Sequence, residues 1–197
     1  MEPFLVADRI ANLTAARYFA AREARWLFFD PSETPGMTVP AILAIREWVE
    51  GPRIGLSLPL GKDDASFGLL RDLRPDGVLL GPFAPGDGMP EGLTTFREWR
   101  PEPGAEASLL AAAMQDTPAE RHLLRLGDWD YSTIRTLLDG LGARQDFILE
   151  ARLVTGEWAA LRSSFPDLGW CFRAPDEEQT GILSFEALDT ALDELGE

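Results

Sequence analysis

The charged residues of this chain best placed to do chemistry stand at the ends of short apolar runs. Asp8 follows Phe4-Leu5-Val6-Ala7, Asp30 follows Trp26-Leu27-Phe28-Phe29, and Arg97 and Glu98 follow Leu93-Thr94-Thr95-Phe96. Arg125 lies within His122-Leu123-Leu124-Arg125-Leu126. Glu150 follows Phe147-Ile148-Leu149 with Arg152 two residues on, and Arg173 follows Trp170-Cys171-Phe172. If these runs are strands that end together, the charges form one cluster, and it admits two readings. In the first, acids and arginines neutralise one another, because burying an unpaired charge is costly. In the second, Arg97, Arg125, Glu150, Arg152 and Arg173 line a site for a small anion. Guanidinium groups there would present paired N–H donors to a carboxylate or phosphate. Asp8 is the candidate general base, a role that burial favours and neighbouring arginines oppose.

Other chemistries lack their residues. His122, the only histidine, opens its run at the end away from the cluster, and Cys171 lies inside an apolar run as a small core residue. One cysteine excludes an internal disulfide. No metal-ligand spacing, phosphate-binding loop, haem motif or nucleophile elbow is present. Gly140-Leu141-Gly142 lacks a third glycine and ends a helix, so it is no dinucleotide site. No metal and no cofactor are expected. Trp99 and Trp129 follow the fifth and sixth runs and are candidates to line a binding mouth.

The elements that must position the cluster alternate along the chain. Asn12 offers a cap to a helix reaching about Glu23, whose Leu13, Ala16, Phe19 and Ala20 form one stripe. Thr38 caps the next helix, with Pro40 in its first turn, and Gly51-Pro52 stops it. Lys62-Asp63-Asp64 opens a third, Glu106 to Gln115 is a fourth, and Asp130 or Ser132 caps a fifth that ends at Gly142. Thr155 caps a sixth over Glu157 to Ser163, and Ser184 caps the last. Pro82 to Gly92, rich in Pro and Gly, must be irregular. Eight strands start near residues 4, 26, 54, 77, 93, 122, 147 and 168. Alternation of this kind predicts one α/β domain over residues 1–197, a small (β/α)8 TIM barrel of eight parallel strands. An open doubly wound sheet would carry glycines in its first turn, which here reads Ala7-Asp8-Arg9-Ile10. In a barrel, functional sites lie at the C-terminal ends of the strands, where the charges fall.

With 45% hydrophobic residues the chain can bury a sizeable core, and no apolar run approaches the roughly 18–20 residues of a membrane span. The N-terminus does not read as a signal peptide, so a cytoplasmic location is expected. The net charge of −15 argues against nucleic acid and anionic membrane as partners. Lys62 is the only lysine beside 17 arginines, a bias that fits either a GC-rich genome or a salty cytoplasm.

Two segments carry a family resemblance. Arg9-Ile10-Ala11-Asn12-Leu13-Thr14-Ala15-Ala16 resembles the first turn and helix of the phosphoribosylanthranilate isomerases, Gly-Ile-Thr-Asn-Leu-x-Asp-Ala. Gly181-Ile182-Leu183-Ser184-Phe185-Glu186-Ala187-Leu188 resembles their closing Gly-Ile-Lys-Asp-Pro-Glu-Lys-Ile. The stretches Asn12 to Ala21 and Ile45 to Gly51 look like a divergent branch of such barrels. The resemblance implies an Amadori rearrangement of an aminoaldose to an aminoketose, with a base ending strand one and an acid ending strand six. Asp8 stands where the family has its cysteine base, and Arg125 (or Leu126, if the register slips by one) where it has its aspartate acid. An arginine is a poor proton donor at neutral pH. The family's glycine-rich phosphate turns correspond to Glu150-Ala151-Arg152-Leu153 and Arg173-Ala174-Pro175-Asp176, which hold no glycine. These three departures imply a barrel that has lost the parent reaction, and the arginines at its mouth suit it to bind a small anion instead. The alternatives are an active sugar-phosphate isomerase with Asp8 as base and a non-catalytic protein-interaction scaffold. Barrels of this family occur as monomers and homodimers.

Overall fold

The computed structural model describes residues 3–32, 37–58, 64–84, 89–117, 119–142, 146–175 and 183–196. The elements run β1 (Leu5–Asp8), α1 (Leu13–Ala21), β2 (Trp26–Phe29), α2 (Val39–Trp48), β3 (Arg53–Leu58), α3 (Asp64–Leu73), β4 (Gly77–Leu80), β5 (Thr94–Trp99), α4 (Ala107–Asp116), β6 (Arg121–Gly127), α5 (Tyr131–Leu141), β7 (Phe147–Ala151), α6 (Glu157–Ser164), β8 (Gly169–Arg173) and α7 (Glu186–Gly196). The strands pair in parallel in chain order and β8 returns to β1, closing a barrel. Between β4 and β5 the described residues hold no helix, as the Pro- and Gly-rich segment requires.

Local chemistry sets the helix starts. Asn12 Oδ1 accepts the Ala15 amide at 2.9 Å, Thr38 Oγ1 accepts that of Ala41 at 3.4 Å, and Asp130 Oδ1 accepts that of Thr133 at 3.0 Å. Helix α5 ends at Gly142, whose φ of +60° a side chain would strain. At α6 the expected cap is displaced. Gly156, not Thr155, is the capping residue, with φ +88°, and the Glu157 carboxylate reaches back to the Val154 amide at 2.9 Å. Glycine takes that left-handed turn without a Cβ clash, which Thr155 would suffer. The ends of the chain are tied together by α1 and α7: the Tyr18 hydroxyl donates to Asp189 at 2.7 Å and its ring stacks on Phe185.

Inside the barrel, alternate residues meet. Val6, Trp26, Phe28, Leu79, Phe96, Leu123, Ile148 and Cys171 form one buried cluster, with Phe4 packed against it. Three rings dominate: Phe96 meets Trp26 and Phe28 edge-on at 4.9 and 5.0 Å between centroids. Their bulk explains the small residues on the neighbouring strands. A Cβ on Gly55 would collide with the Phe28 ring, and one on Gly77 would lie 2.6 Å from the Thr94 carbonyl and 2.8 Å from Trp26. The other strand face, with Leu27, Phe29, Leu56, Leu80, Leu124 and Leu149, packs beneath the helices as the larger core.

Candidate functional site

One step further along the strands, towards their C-terminal ends, the interior changes from aromatic to ionic. Arg125 stands at its centre. Its Nη2 meets Asp8 Oδ2 at 2.5 Å, its Nε meets Glu98 Oε2 at 2.5 Å, and its Nη1 pairs with Glu150. The acids have further partners: Arg100 pairs with Glu98, Arg173 Nε meets Glu150 Oε1 at 2.8 Å, and the Ser57 hydroxyl donates to Asp8 at 3.4 Å. Three arginines thus balance three carboxylates, as burial demands. The side chains of Arg125 and Asp8 are only 8% and 2% exposed.

The register explains how Arg125 comes to face inward. It pairs with Glu150 across β6 and β7, and an irregularity between Arg125 and Gly127 follows, where Gly127 has φ +58°. Leu126 turns outward into the larger core, so Arg125 is the strand-six residue of the mouth. Burial alone would lower the Arg125 pKa. Attraction from Asp8, Glu150 and Glu98 outweighs that and holds it above its ordinary value, so the guanidinium stays charged. Below it, burial first and Asp8 second push the Cys171 thiol up, leaving it neutral and inert.

The structure brings together Asp8, Glu98, Arg125, Glu150 and Arg173 of the residues singled out from sequence. It does not bring Arg97 to them. Strand β5 runs on to Trp99, and alternation turns Phe96 and Glu98 inward and Arg97 outward. There Arg97 is 2% exposed, donates from Nη1 to the carbonyls of Gly81 (2.8 Å) and Ala84, and has its pKa lowered by burial. It ties down the turn after β4, because an inward β5 side chain at that level is already Glu98. Arg152 sits at the rim with its side chain 81% exposed, 3.1 Å from Asp128. Trp99 also faces outward and is no mouth residue: its indole N–H donates to His122 Nδ1 at 3.0 Å under the helices. Trp129 packs on the larger core. His122 is buried at the opposite end of the barrel from the cluster, as its place in the run predicts. Ser57 and Arg100 are members that sequence reasoning missed. The available signals were a lone hydroxyl in the apolar strand Ile54–Leu58 and an arginine two residues beyond Glu98.

Two cavities open here, and they differ in size. Beside Asp8, Asp30, Ser57, Glu98 and Arg125 the free volume is about 20 Å³, room for about one water. Over the ends of β7 and β8 a cavity of about 960 Å³ is lined by Arg9, Asn12, Arg152, Trp158, Phe172 and Arg173, among others. Arg9 has φ +55°, a conformation that favours glycine. The amides after β7 and β8 are already used: Arg152 N–H donates to the Gly127 carbonyl at 2.8 Å and Ala174 N–H to that of Asp8 at 2.9 Å. Pro175 has none. Among the described residues, Arg152 and Arg173 offer an anion side-chain donors here. Among the described residues no group of three His, Cys, Asp or Glu could hold a metal ion, and no helix is long and apolar enough to cross a membrane.

No protein-family model matches this sequence, and no curated protein matches it. Solved structures do. The phosphoribosylanthranilate isomerase of Pyrococcus furiosus superposes with a TM-score of 0.72 over 99% of both chains at 10% identity. Monomers generated from the dimeric enzyme of Thermotoga maritima give 0.72 over 100% of this chain and 99% of theirs, at 12% identity. The Thermus thermophilus enzyme gives 0.70 over 98% of both chains at 20% identity. The chain has a phosphoribosylanthranilate isomerase-like TIM barrel.

Proposed function

We propose that this barrel has given up the aminoaldose-to-aminoketose rearrangement and serves to bind a small anion at its C-terminal mouth, on the β7–β8 side. One observation carries the reading: the residues standing at the base and acid positions, Asp8 and Arg125, are bonded to each other. A base must reach the proton it removes, and an acid must carry one it can release. Asp8 is committed to Arg125 and Ser57 beside a space too small for any substrate. Arg125, held charged by three carboxylates, releases nothing near neutral pH.

The wide cavity over β7 and β8 favours binding. Its volume lies within the roughly 300–1,000 Å³ of ordinary ligand sites. Arg173 is anchored by Glu150 while 41% of its side chain stays exposed, and Arg152 lines the same opening. Two guanidinium forks facing one space suit a carboxylate or phosphate, with Phe172 and Trp158 receiving an apolar remainder. Of the five residues expected to bind the anion, this assigns Arg152 and Arg173 to contact and Glu150 to positioning Arg173. Arg125 and Arg97 become structural.

The test has two arms. Expression in a tryptophan auxotroph lacking the isomerase is expected not to restore growth; growth that Asp8→Ala abolishes would overturn the reading in favour of an active isomerase. Titration with ribose 5-phosphate, followed calorimetrically, is expected to show binding that R152Q/R173Q weakens about tenfold or more. Absence of binding in the parent protein would sink the ligand site and leave the scaffold role.

A further inference from the structure

The cavity over β7 and β8 carries acids as well as arginines, and their pairing says more about its ligand than the arginines do alone. Arg173 is held by Glu150 at 2.8 Å, and Glu150 is itself fixed by Arg125. Arg152 meets Asp128 at 3.1 Å, with the two side chains 81% and 78% exposed at the rim. Both residues of that pair line the cavity. Asp128 uses only Oδ1 for Arg152, and its Oδ2 accepts no hydrogen bond from the described residues. The irregularity after Arg125 is what delivers Asp128. Gly127, at φ +58°, begins a turn that the Trp129 amide closes on the Leu126 carbonyl at 3.3 Å. The Arg152 amide bonds the Gly127 carbonyl, so the turn bearing Asp128 is pinned to the end of β7.

This mixture of signs selects among anions. A multiply charged anion between Arg152 and Arg173 has Asp128 and Glu150 behind them, and each acid repels it. A zwitterion meets no such opposition. Its carboxylate takes the guanidinium forks, and its ammonium gives Asp128 a second donor. The Arg152–Asp128 pair favours this exchange. An exposed ion pair contributes little to stability, so a ligand that adds its own two charges displaces little. Glu150 is not the acceptor, because Arg125 and Arg173 occupy its two oxygens. The lining also has an apolar part: Leu153 and Leu188 are half-buried, Ala187 is exposed, and Phe172 lies in the same wall. A hydrocarbon side chain gains by covering such surface.

We propose that the mouth takes a free α-amino acid with a large apolar side chain, its carboxylate on Arg152 and Arg173 and its ammonium on Asp128. This rests on the mouth's being an anion site, as proposed above, and narrows the ligand to one whose anionic group has a cation on the neighbouring carbon. Arg173 is the fixed half of the carboxylate site, since Glu150 holds it from within the barrel. Arg152 and Asp128 are the adaptable half.

L-Phenylalanine is the probe, titrated calorimetrically into the full chain beside 3-phenylpropanoate, which lacks the ammonium, L-alanine, which lacks the ring, and ribose 5-phosphate. Phenylalanine is expected to bind saturably and about tenfold more tightly than each of the other three. D128N, conservative in size and on an exposed turn, should weaken phenylalanine about tenfold and leave 3-phenylpropanoate within about twofold. The same variant should bind ribose 5-phosphate no more weakly than the parent, because an acid that repels it has gone. R152Q/R173Q should weaken phenylalanine and 3-phenylpropanoate alike. Unchanged far-ultraviolet circular dichroism checks that the variants fold. Equal affinity for phenylalanine and 3-phenylpropanoate, or an equal loss of both in D128N, overturns the zwitterion and leaves the anion site standing. So does saturable binding of ribose 5-phosphate by a protein that does not bind phenylalanine. If none of the four binds, the anion site falls and the amino acid with it.

Discussion

The two halves of the barrel interior are filled by opposite means. The lower half is closed by Trp26, Phe28 and Phe96, which pack at ordinary ring distances and need nothing from their neighbours except space at Gly55 and Gly77. The upper half is closed by Arg125 with Asp8, Glu98 and Glu150 around it. Apolar filling gains from leaving water and tolerates approximate fit. Ionic filling loses hydration at every group and is stable only when each charge keeps its partner. The difference teaches where this molecule has freedom: an aromatic interior can be repacked piecemeal, whereas the ionic one stands or falls as a set.

The sharpest way to break the comparison is to remove the hub. Arg125→Met leaves buried Asp8 without a cationic partner and takes one of two from Glu98 and Glu150, and urea unfolding is expected to show a loss of about 3–5 kcal/mol, or no folded protein. In the aromatic half, Gly55→Ala forces the Phe28 ring to move and should cost less, about 1–3 kcal/mol in the same measurement. If Gly55→Ala proved the worse of the two, the ionic half would be looser than its geometry says. A third experiment probes the boundary between the halves. The Cys171 thiol, buried and held neutral, should not react with a disulfide reagent until the protein is unfolded. Rapid labelling of the native protein would mean that water reaches the interior from the mouth.

The pH dependence sharpens the contrast with the surface. The Arg125 pKa is raised in the folded protein, so its contribution is fully present below the unfolded arginine value and is lost only as pH rises through the still higher folded one. Stability should therefore not respond to Arg125 anywhere near neutrality. Asp130, at the start of α5, is the opposite case. Hydrogen bonds from Ser132 and Thr133 lower it from 3.8 to about 2, so its contribution is present above the first value and lost as pH falls to the second. Hydrogen exchange in the first turn of α5 should quicken over that interval, a small and local effect that Asp130→Ala would remove.

Much of the frame could be read in advance. Apolar runs such as Trp26–Phe29 and Phe147–Ala151, separated by capped amphipathic stretches, already specify parallel strands and covering helices. Asn12, Thr38 and Asp130 cap as their types predict because a cap is made by residues three apart in the chain. Thr155 fails for an equally local reason, a glycine one residue later. The charged cluster was visible as well, since residues ending successive strands of one barrel must converge.

What sequence could not supply is which way each charged side chain points and whom it meets. Arg97 and Glu98 are neighbours in the chain, yet one ties down a turn beneath the helices and the other faces the hub, because β5 continues three residues past Phe96 and alternation divides them. Arg125 meets Asp8 across 117 residues and Glu150 across 25, distances at which no local pattern carries information. Composition and periodicity determine the architecture because burial of apolar surface depends on kind and spacing alone. Ion pairing depends on direction and distance, and these exist only once the barrel has closed.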